Sequence, residues 1–330
     1  MFEGKTVAVV VPCYNEETQV GKVIQTMPDF VDCILVVDDV SKDRTREVVR
    51  AVIAARGDQK VVLLEHAANA GVGAAIVTGY KEAIRRAIDV TAVMAGDGQM
   101  PPEDLHRFVA PVARGLADYA KANRLFYQGA WEHTPPTRYL GNAFLSMLTK
   151  IASGYWHVGD SQTGYTAISL EALETINLGG VYPRYGYPND LLCRLNIYDF
   201  RVADIHVRPT YHVGERSKMK LWKVVPTMSW LIFKRFCLRM KEKYIIHDFH
   251  PLVLFYLCGT VSFLAGLALG LYLLVYRIVT HHTVAATSGL FSVLLLTTGL
   301  QMILFGMWFD MEVNRHLKVD LPRDKNVWRA

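Results

Sequence analysis

Charge is missing from two long stretches of this 330-residue chain: residues 251–276 and 284–309 contain no Asp, Glu, Lys or Arg. Each is long enough to cross a bilayer with some tilt. A transmembrane hairpin is therefore expected, and a buried helix pair in a large soluble core is the competing reading. Cysteine is also scarce. Cys13, Cys33, Cys193, Cys237 and Cys258 are scattered, odd in number and without metal-ligand spacing. That pattern excludes a disulfide scaffold and a structural zinc site, and fits reduced thiols on the cytoplasmic side or in the membrane. Met1 leads almost directly into a strand-like run with no basic leader, apolar core and small-residue cleavage site, so no signal peptide is expected.

What the chain has in excess is unevenly placed. Apolar residues make up 51% of it, above a typical soluble protein. Residues 1–215 carry 21 Lys+Arg against 25 Asp+Glu, a net of −4, while residues 216–243 carry nine basic residues against Glu242, a net of +8. A mildly acidic globular part thus precedes a basic belt, which anionic lipid headgroups attract and which the positive-inside rule places in the cytoplasm. Aromatic and aliphatic residues interleave the belt and a span follows it, so membrane rather than nucleic acid is the expected partner. The organisation predicted is a catalytic domain over 1–215, a basic amphipathic interfacial segment over 216–249, two transmembrane helices within 250–309 and a cytoplasmic tail over 310–330. Both termini fall on the cytoplasmic side. Gly266 and Gly270 form a small-xxx-small face, a packing seam that also admits a homo-oligomer.

Apolar runs and helix openings alternate through the first half. Thr6 to Pro12 is a β-branched run suited to a strand buried on both faces. Cys13-Tyr14-Asn15-Glu16-Glu17 then turns into a helix that Asn15 is placed to cap. Cys33 to Val37 ends in Asp38-Asp39, with Ser41 and Asp43 as caps for the next helix, and a carboxylate at such a strand end can hold a ribose hydroxyl or a base edge. Val61 to Leu64 is a third strand, followed by Asn69-Ala70-Gly71-Val72-Gly73, which opens a helix toward Arg86. Its Gly-x-Gly either lets backbone N–H groups approach a phosphate or relieves a tight turn. This alternation argues for a parallel sheet with crossover helices.

The central feature is Thr91 to Glu103. An apolar strand ends in Gly96-Asp97-Gly98, with Gln99 two residues on and Pro101-Pro102-Glu103 able to open a helix. Open α/β sheets bind ligands at this edge. A hard divalent cation that also holds substrate phosphates needs few protein oxygens, so one carboxylate plus an amide can suffice. Asp97 is either that metal ligand or a solvated turn acid.

Asp118 to Asn123 delivers Arg124 to the same edge, and Pro135-Pro136-Thr137-Arg138 starts a helix reaching about Ser153. Near a diphosphate both guanidiniums gain a bidentate role. The stretch Gly154 to Tyr165, with Asp160 and Gln162, is dense in sugar- and phosphate-binding groups and precedes a strand from Tyr165 to Ser169. Asn189-Asp190 opens an apolar helix, where the dipole favours an anion. After a strand over 201–208 comes Arg216-Ser217-Lys218, a cationic loop. Residues 221–240 alternate aromatics with basic residues, as in a helix lying in the headgroup plane.

Taken together, the chain resembles family 2 of the inverting nucleotide-sugar glycosyltransferases, especially the membrane-anchored dolichyl- or polyprenyl-phosphate sugar synthases. The residues that carry the resemblance are Val11-Pro12-Cys13-Tyr14-Asn15-Glu16-Glu17, Val37-Asp38-Asp39, Asn69 to Ala75, Asp97-x-Gln99 with Pro101-Pro102-Glu103, Asn123-Arg124, Gln162-Thr163-Gly164-Tyr165, Asn189-Asp190 and Arg216-Ser217-Lys218. It covers about the first 245 residues. It implies a GT-A fold, an α/β architecture with a mostly parallel sheet and helices on both faces. It also implies a nucleotide-sugar pocket drawn from Pro12, Tyr14, Asn15, Glu17, Asp38, Asp39, Asn69, Gly73, Asp97 and Gly98. Asp97 and Gln99 would hold Mg²⁺ or Mn²⁺, and Arg124, Arg138, Gln162, Arg216, Ser217 and Lys218 would contact acceptor and phosphates, with Asp190 near the acceptor. Two departures stand out: Ala95 replaces the first acid of a common acid-x-acid pair, and Val40 replaces a common Gly.

The activity implied is transfer of a hexose from a GDP- or UDP-sugar onto polyprenyl or dolichyl phosphate. A lipid-linked saccharide or polysaccharide acceptor, or a non-catalytic membrane scaffold, are the alternatives. An ionised lipid phosphate needs positioning more than a base. A sugar hydroxyl does need one, and Asp190 is the candidate.

Overall fold

The computed structural model describes residues 1–125, 136–207 and 221–321, and the side chains of 136–139 and 221–224 fall outside that description. Arg138, Arg216, Ser217 and Lys218 therefore lie beyond what it describes. The chain divides into two compact units, residues 1–236 with 316–330, and residues 237–315.

In the first unit, the strands are β1 Val7–Cys13, β2 Cys33–Asp38, β3 Val61–Glu65, β4 Val90–Val93, β5 Tyr119–Asn123, β6 Thr166–Ser169, β7 Val202–His206 and β8 Lys318–Val319. Among the described residues they form one sheet in the order β3-β2-β1-β4-β6-β5-β7-β8. The expected parallel alternation holds for β1 to β4, with Val10 opposite both Leu35 and Val93. β6 is the exception, running antiparallel to β4 and β5. Part of the segment read as a cytoplasmic tail pairs with the sheet: Lys318 and Val319 lie opposite Val202 and Ala203.

Helices cover both faces. α1 (Val20–Gln25), α2 (Thr45–Arg56) and α4 (Leu105–Ala113) place Ile24, Val49 and Phe108 against one side of the sheet. α3 (Val72–Arg85), α6 (Leu170–Thr175) and α7 (Tyr187–Ile197) place Ile76, Leu173 and Leu192 against the other. Every residue of β1 and β2 is buried. This is why those strands read as unbroken apolar runs, and each fully buried Val, Leu or Ile contributes about 1.5–3 kcal/mol. A third, smaller core joins α5 (Pro136–Ser153), α7 and α8 (Leu221–Lys241) through Leu145, Cys193, Met228, Leu231 and Ile232.

The second unit is a helical hairpin, α9 (Leu252–Thr280) and α10 (Ala286–Val313), preceded by a π-helical turn over Glu242–His247. Both helices are long and apolar enough to cross a membrane, and only 17% of each apolar window is buried inside the protein. A core helix of a soluble protein would be mostly covered, so their exposed Leu, Val and Ile side chains suit lipid. The glycine seam is spent within the hairpin. A Cβ at Gly266 would lie 2.8 Å from Leu296 N, one at Gly270 would lie 2.9 Å from Ser292 Oγ, and Ser292 Oγ donates to Gly266 O at 2.8 Å. These close approaches join α9 to α10.

Candidate active site

The loops after β1, β2, β3 and β4 meet at the C-terminal edge of the parallel half of the sheet. Asn15 does not cap α1: it sits at φ +60° two residues beyond β1, its N–H donates to Ser41 Oγ at 3.0 Å and its Oδ1 accepts from Lys42 N at 2.8 Å. The helix starts later, at Val20. Glu17 likewise faces the β2 loop, with its N–H on Asp43 Oδ2 at 3.1 Å and its Oε2 accepting from Arg44 N at 3.0 Å. Asp43 also accepts from Thr45 N, at the start of α2, at 3.0 Å, whereas Ser41 serves Asn15 instead of that helix.

Asp38 and Asp39 diverge. Asp38 is buried, its Oδ2 accepting from Ser41 N at 3.1 Å, while its Oδ1 is buried without a hydrogen bond. The Asp39 carboxylate accepts from Ala70 N and Gly71 N, both at 2.8 Å, and lies 2.8 Å from His66 Nδ1. Asn69 closes the same loop by donating to Asp39 O at 2.9 Å. The Gly71 and Gly73 clearances admit backbone: a Cβ at Gly71 (φ +98°) would meet Pro183 O at 2.6 Å, and one at Gly73 would meet Tyr182 O at 2.3 Å. Ala74 N, in the first turn of α3, donates to Pro183 O at 3.1 Å.

Asp97 follows β4 at the centre of this edge. Gly96 lets its loop pass β1, where a Cβ would lie 2.7 Å from Cys13 Sγ. Burial lifts the Asp97 carboxyl above its ordinary value, opposed by the Gln99 N–H that donates to Oδ1 at 3.0 Å. Among the described residues it has no cationic partner. Glu16, Asp38, Asp97 and Asp43 all act on the Cys13 thiol, which burial first and these acids second push well up. Arg46 lies 3.6 Å from Asp38 on this acidic rim, which leaves Asp97 as its desolvated carboxylate without a cation, and that fits a hard divalent cation held by Asp97 with the Gln99 amide. Among the described residues there is no cluster of three His, Cys, Asp or Glu side chains suited to a metal, so the remaining oxygens would come from water and phosphate. A separate surface hollow of about 530 Å³, lined by residues such as Arg50, Asp58 and Arg86, shares no residue with this rim.

Beyond β6 lies a buried charge network. Asp160 is fully buried and holds Arg124 through Nε–Oδ2 at 2.7 Å. Lys121, also fully buried, donates its ammonium to Thr163 O. Asp204 accepts from Asn123 Nδ2 at 2.5 Å and from Gly159 N at 3.2 Å. Burial pulls Lys121 down to about 7, and burial raises Asp204 to about 6. The network fixes the 159–165 loop, whose Gln162 turns inward to donate to Ser161 Oγ at 2.8 Å and Asn189 Oδ1 at 3.2 Å.

Asp190 has no exposed surface. Its Oδ1 accepts from Arg194 Nε at 2.9 Å, and its Oδ2 accepts from Tyr182 N at 2.6 Å and from Arg235 Nη2 at 3.0 Å. Burial raises its pKa despite the two guanidiniums.

The structure thus brings Asn15, Glu17, Asp38, Asp39, Asn69 and Asp97 to one edge, Arg124 and Gln162 to neighbouring loops, and Asp190 to the first turn of α7. Tyr14 is exposed beside them and Pro12 is buried beneath, its carbonyl accepting from Gly96 N at 3.4 Å. Sequence reasoning passed over His66, Lys121, Arg194, Asp204 and Arg235. Lys121 alone left a mark, as a charge inside a strand, Tyr-Ala-Lys-Ala-Asn, that is otherwise patterned for burial.

Comparisons with known proteins give the family and the fold. The chain is 27% identical over 218 residues (63% of its length, 86% of the relative) to the UDP-N-acetylglucosamine–dolichyl-phosphate N-acetylglucosaminyltransferase of Methanococcus voltae. It is 31% identical over 216 residues (64% and 80%) to the polyprenol monophosphomannose synthase of Mycolicibacterium smegmatis. The fold matches that of glucosyl-3-phosphoglycerate synthase from Mycobacterium tuberculosis, crystallised with Mn²⁺, UDP and glucosyl-3-phosphoglycerate, with TM-score 0.53 and 21% identity over 72% of this chain and 80% of that one. The expected GT-A architecture is therefore present. The model of the family described as "Glycosyl transferase family 2" matches residues 8–176, half of the chain, and the protein belongs to that family.

Proposed function

We propose that the protein is a membrane-bound inverting transferase that moves a hexose from a GDP- or UDP-sugar onto polyprenyl or dolichyl phosphate at the cytoplasmic face. The observation that carries this reading is the conjunction in one chain of a family 2 domain, with a desolvated, cation-free Asp97 at its ligand edge, and two lipid-suited helices. The names of the Methanococcus and Mycolicibacterium relatives support the lipid-phosphate acceptor.

In this reading Asp97 and Gln99 hold Mg²⁺ or Mn²⁺, as the manganese in the mycobacterial crystal supports. When bound, the cation neutralises charge that develops on the diphosphate leaving group. The chain's own residues do the rest. Asn15, Glu17 and Asp39 shape the nucleotide pocket by locking three loops together. Arg124, oriented by Asp160, is held where its guanidinium can meet phosphate oxygens. The acceptor phosphate is already ionised near neutral pH and needs no proton removed. Asp190, whose oxygens are engaged by Arg194, Arg235 and Tyr182 N–H, fits a structural acid better than a base.

The test is product analysis. Full-length protein in nanodiscs is given a panel of GDP- and UDP-sugars with polyprenyl phosphate and Mn²⁺, and the lipid fraction is read by mass spectrometry. A polyprenyl phosphohexose that disappears with EDTA is expected. Transfer only to a lipid-linked saccharide, or no turnover of any donor, defeats the proposal. Asp190→Asn should keep turnover at saturating substrates within about tenfold, whereas loss of a true general base costs about 10²–10⁴-fold.

A further inference from the structure

Helix α8 has two unlike sides. Outward, Trp230 and Phe233 are exposed and stacked at 5.7 Å, and Lys234 lies 5.3 Å from the Trp230 ring. Inward, Met228, Leu231 and Ile232 are buried against α5 and α7. Arg235 reaches inward from the edge of that buried side. Its Nη2 donates to Asp190 Oδ2 at 3.0 Å and to Gly180 O at 3.1 Å, and its Nε lies 2.8 Å from Asp190 Oδ1.

These contacts continue toward the nucleotide edge. Asp190 Oδ2 takes the N–H of Tyr182 at 2.6 Å. Tyr182 and Pro183 present their carbonyls to the glycine loop, where Ala74 N donates to Pro183 O and neither Gly71 nor Gly73 has room for a Cβ. The same loop gives Ala70 N and Gly71 N to Asp39. Arg194 reinforces the segment from inside α7, donating to Asn177 O at 3.0 Å and to Gly180 O. Hydrogen bonds linked by two short backbone segments, 182–183 and 71–74, therefore run from the headgroup-type helix to the carboxylate expected to face the nucleotide. A purely local ion pair would not need the 180–183 segment threaded between the two.

We infer that Arg235 is a positioning residue for the nucleotide site: through Asp190 and the 180–183 segment it sets the 69–74 loop against Asp39, so that seating of α8 determines how well the donor binds. The inference rests on the transferase reading above and adds a role for a residue 137 positions from Gly98, the nearest expected nucleotide contact. It acts on binding, not on bond breaking. Arg235 is not a catalytic residue.

The experiment uses the full chain in nanodiscs, with Mn²⁺–UDP and Mn²⁺–GDP as probes, in titration calorimetry and in donor hydrolysis by whichever nucleotide sugar is turned over. Arg235→Gln should weaken nucleotide binding and raise the donor KM about tenfold while kcat stays within about twofold. Arg235→Lys keeps the charge but not the fork. It should fall between the two, with faster amide hydrogen exchange over 69–76 than the wild type. Arg85→Gln, on the exposed face of α3, should match the wild type. If Arg235→Gln melts at a much lower temperature, Arg235→Lys decides. Nucleotide affinity and loop exchange equal to wild type in whichever variant folds would overturn the positioning role, as would a fall in kcat with KM unchanged. A wild-type protein that binds neither nucleotide overturns the transferase reading itself and this role with it, a result distinct from the variant-specific one.

Discussion

Arg239 and Asp310 form an ion pair at 2.8 Å with neither side chain exposed. The second guanidinium nitrogen completes a fork at 3.0 Å, and Tyr244 Oη donates to the same carboxylate at 2.7 Å. Asn314 joins through Nδ2–Oδ1 at 3.0 Å, and Lys243 donates to Asn314 Oδ1 at 2.9 Å. Breaking a buried pair from one side leaves a charge with no compensation, which costs about 3–5 kcal/mol, whereas replacing both with apolar residues is often neutral. Asp310→Leu alone should therefore strongly lower the apparent melting temperature in detergent. The double variant Arg239→Leu with Asp310→Leu should recover most of the loss, and a double-mutant cycle measures the difference.

Asp97 governs the predicted response to metal and acid. Asp97→Asn should remove Mn²⁺ stimulation and lower turnover about 10²–10³-fold, the size of effect seen when one preorganised electrostatic contact is removed. Burial raises its pKa, so its charge is lost on acidification sooner than that of an ordinary aspartate. The acid limb of a pH–rate profile should accordingly lie above the ordinary aspartate value, and move lower as Mn²⁺ is raised.

Lys121 makes stability depend on pH in the alkaline direction. In the folded chain its amine titrates near about 7, against an ordinary value of 10.5. Between these values the unfolded chain binds the extra proton, so stability rises with pH through that window and is flat below it. Lys121→Met should abolish this rise. The difference in melting temperature between wild type and variant, followed from pH 7 to about 8, below the ordinary cysteine range, should grow in favour of the wild type.

Val40 sits at φ +63°, where a β-branched side chain is unfavourable. The left-handed conformation costs about 1–2 kcal/mol for such a residue, partly offset by the chain entropy that glycine adds to the unfolded state. Val40→Gly should raise stability by about 0.5–1 kcal/mol in chemical denaturation, with the β2 loop unchanged.

The strands and spans were legible because burial on both faces and contact with lipid each demand long apolar runs, as in Val7–Cys13 and Leu252–Thr280. Direction was not: a four-residue buried strand such as Thr166–Ser169 has the same pattern whether its neighbours are parallel or antiparallel. Asp38, Asp39 and Asp97 stood out as acids at strand ends. Their partners did not, because Asp39 is answered by backbone N–H groups 31 and 32 residues on, and Asp190 by Arg235, 45 residues away. Asn15 misled for the same reason, since a side chain suited to capping the next helix instead bonds the loop after a different strand.

The return of Lys318–Val319 to the sheet beside β7 makes the hairpin an insertion rather than an appendage. A stop codon after Phe236 would strip the sheet of its outer strand and leave the β7 edge bare for intermolecular pairing. A water-soluble catalytic core is better sought by splicing a flexible linker between Phe236 and His316, keeping the final strand in the reading frame.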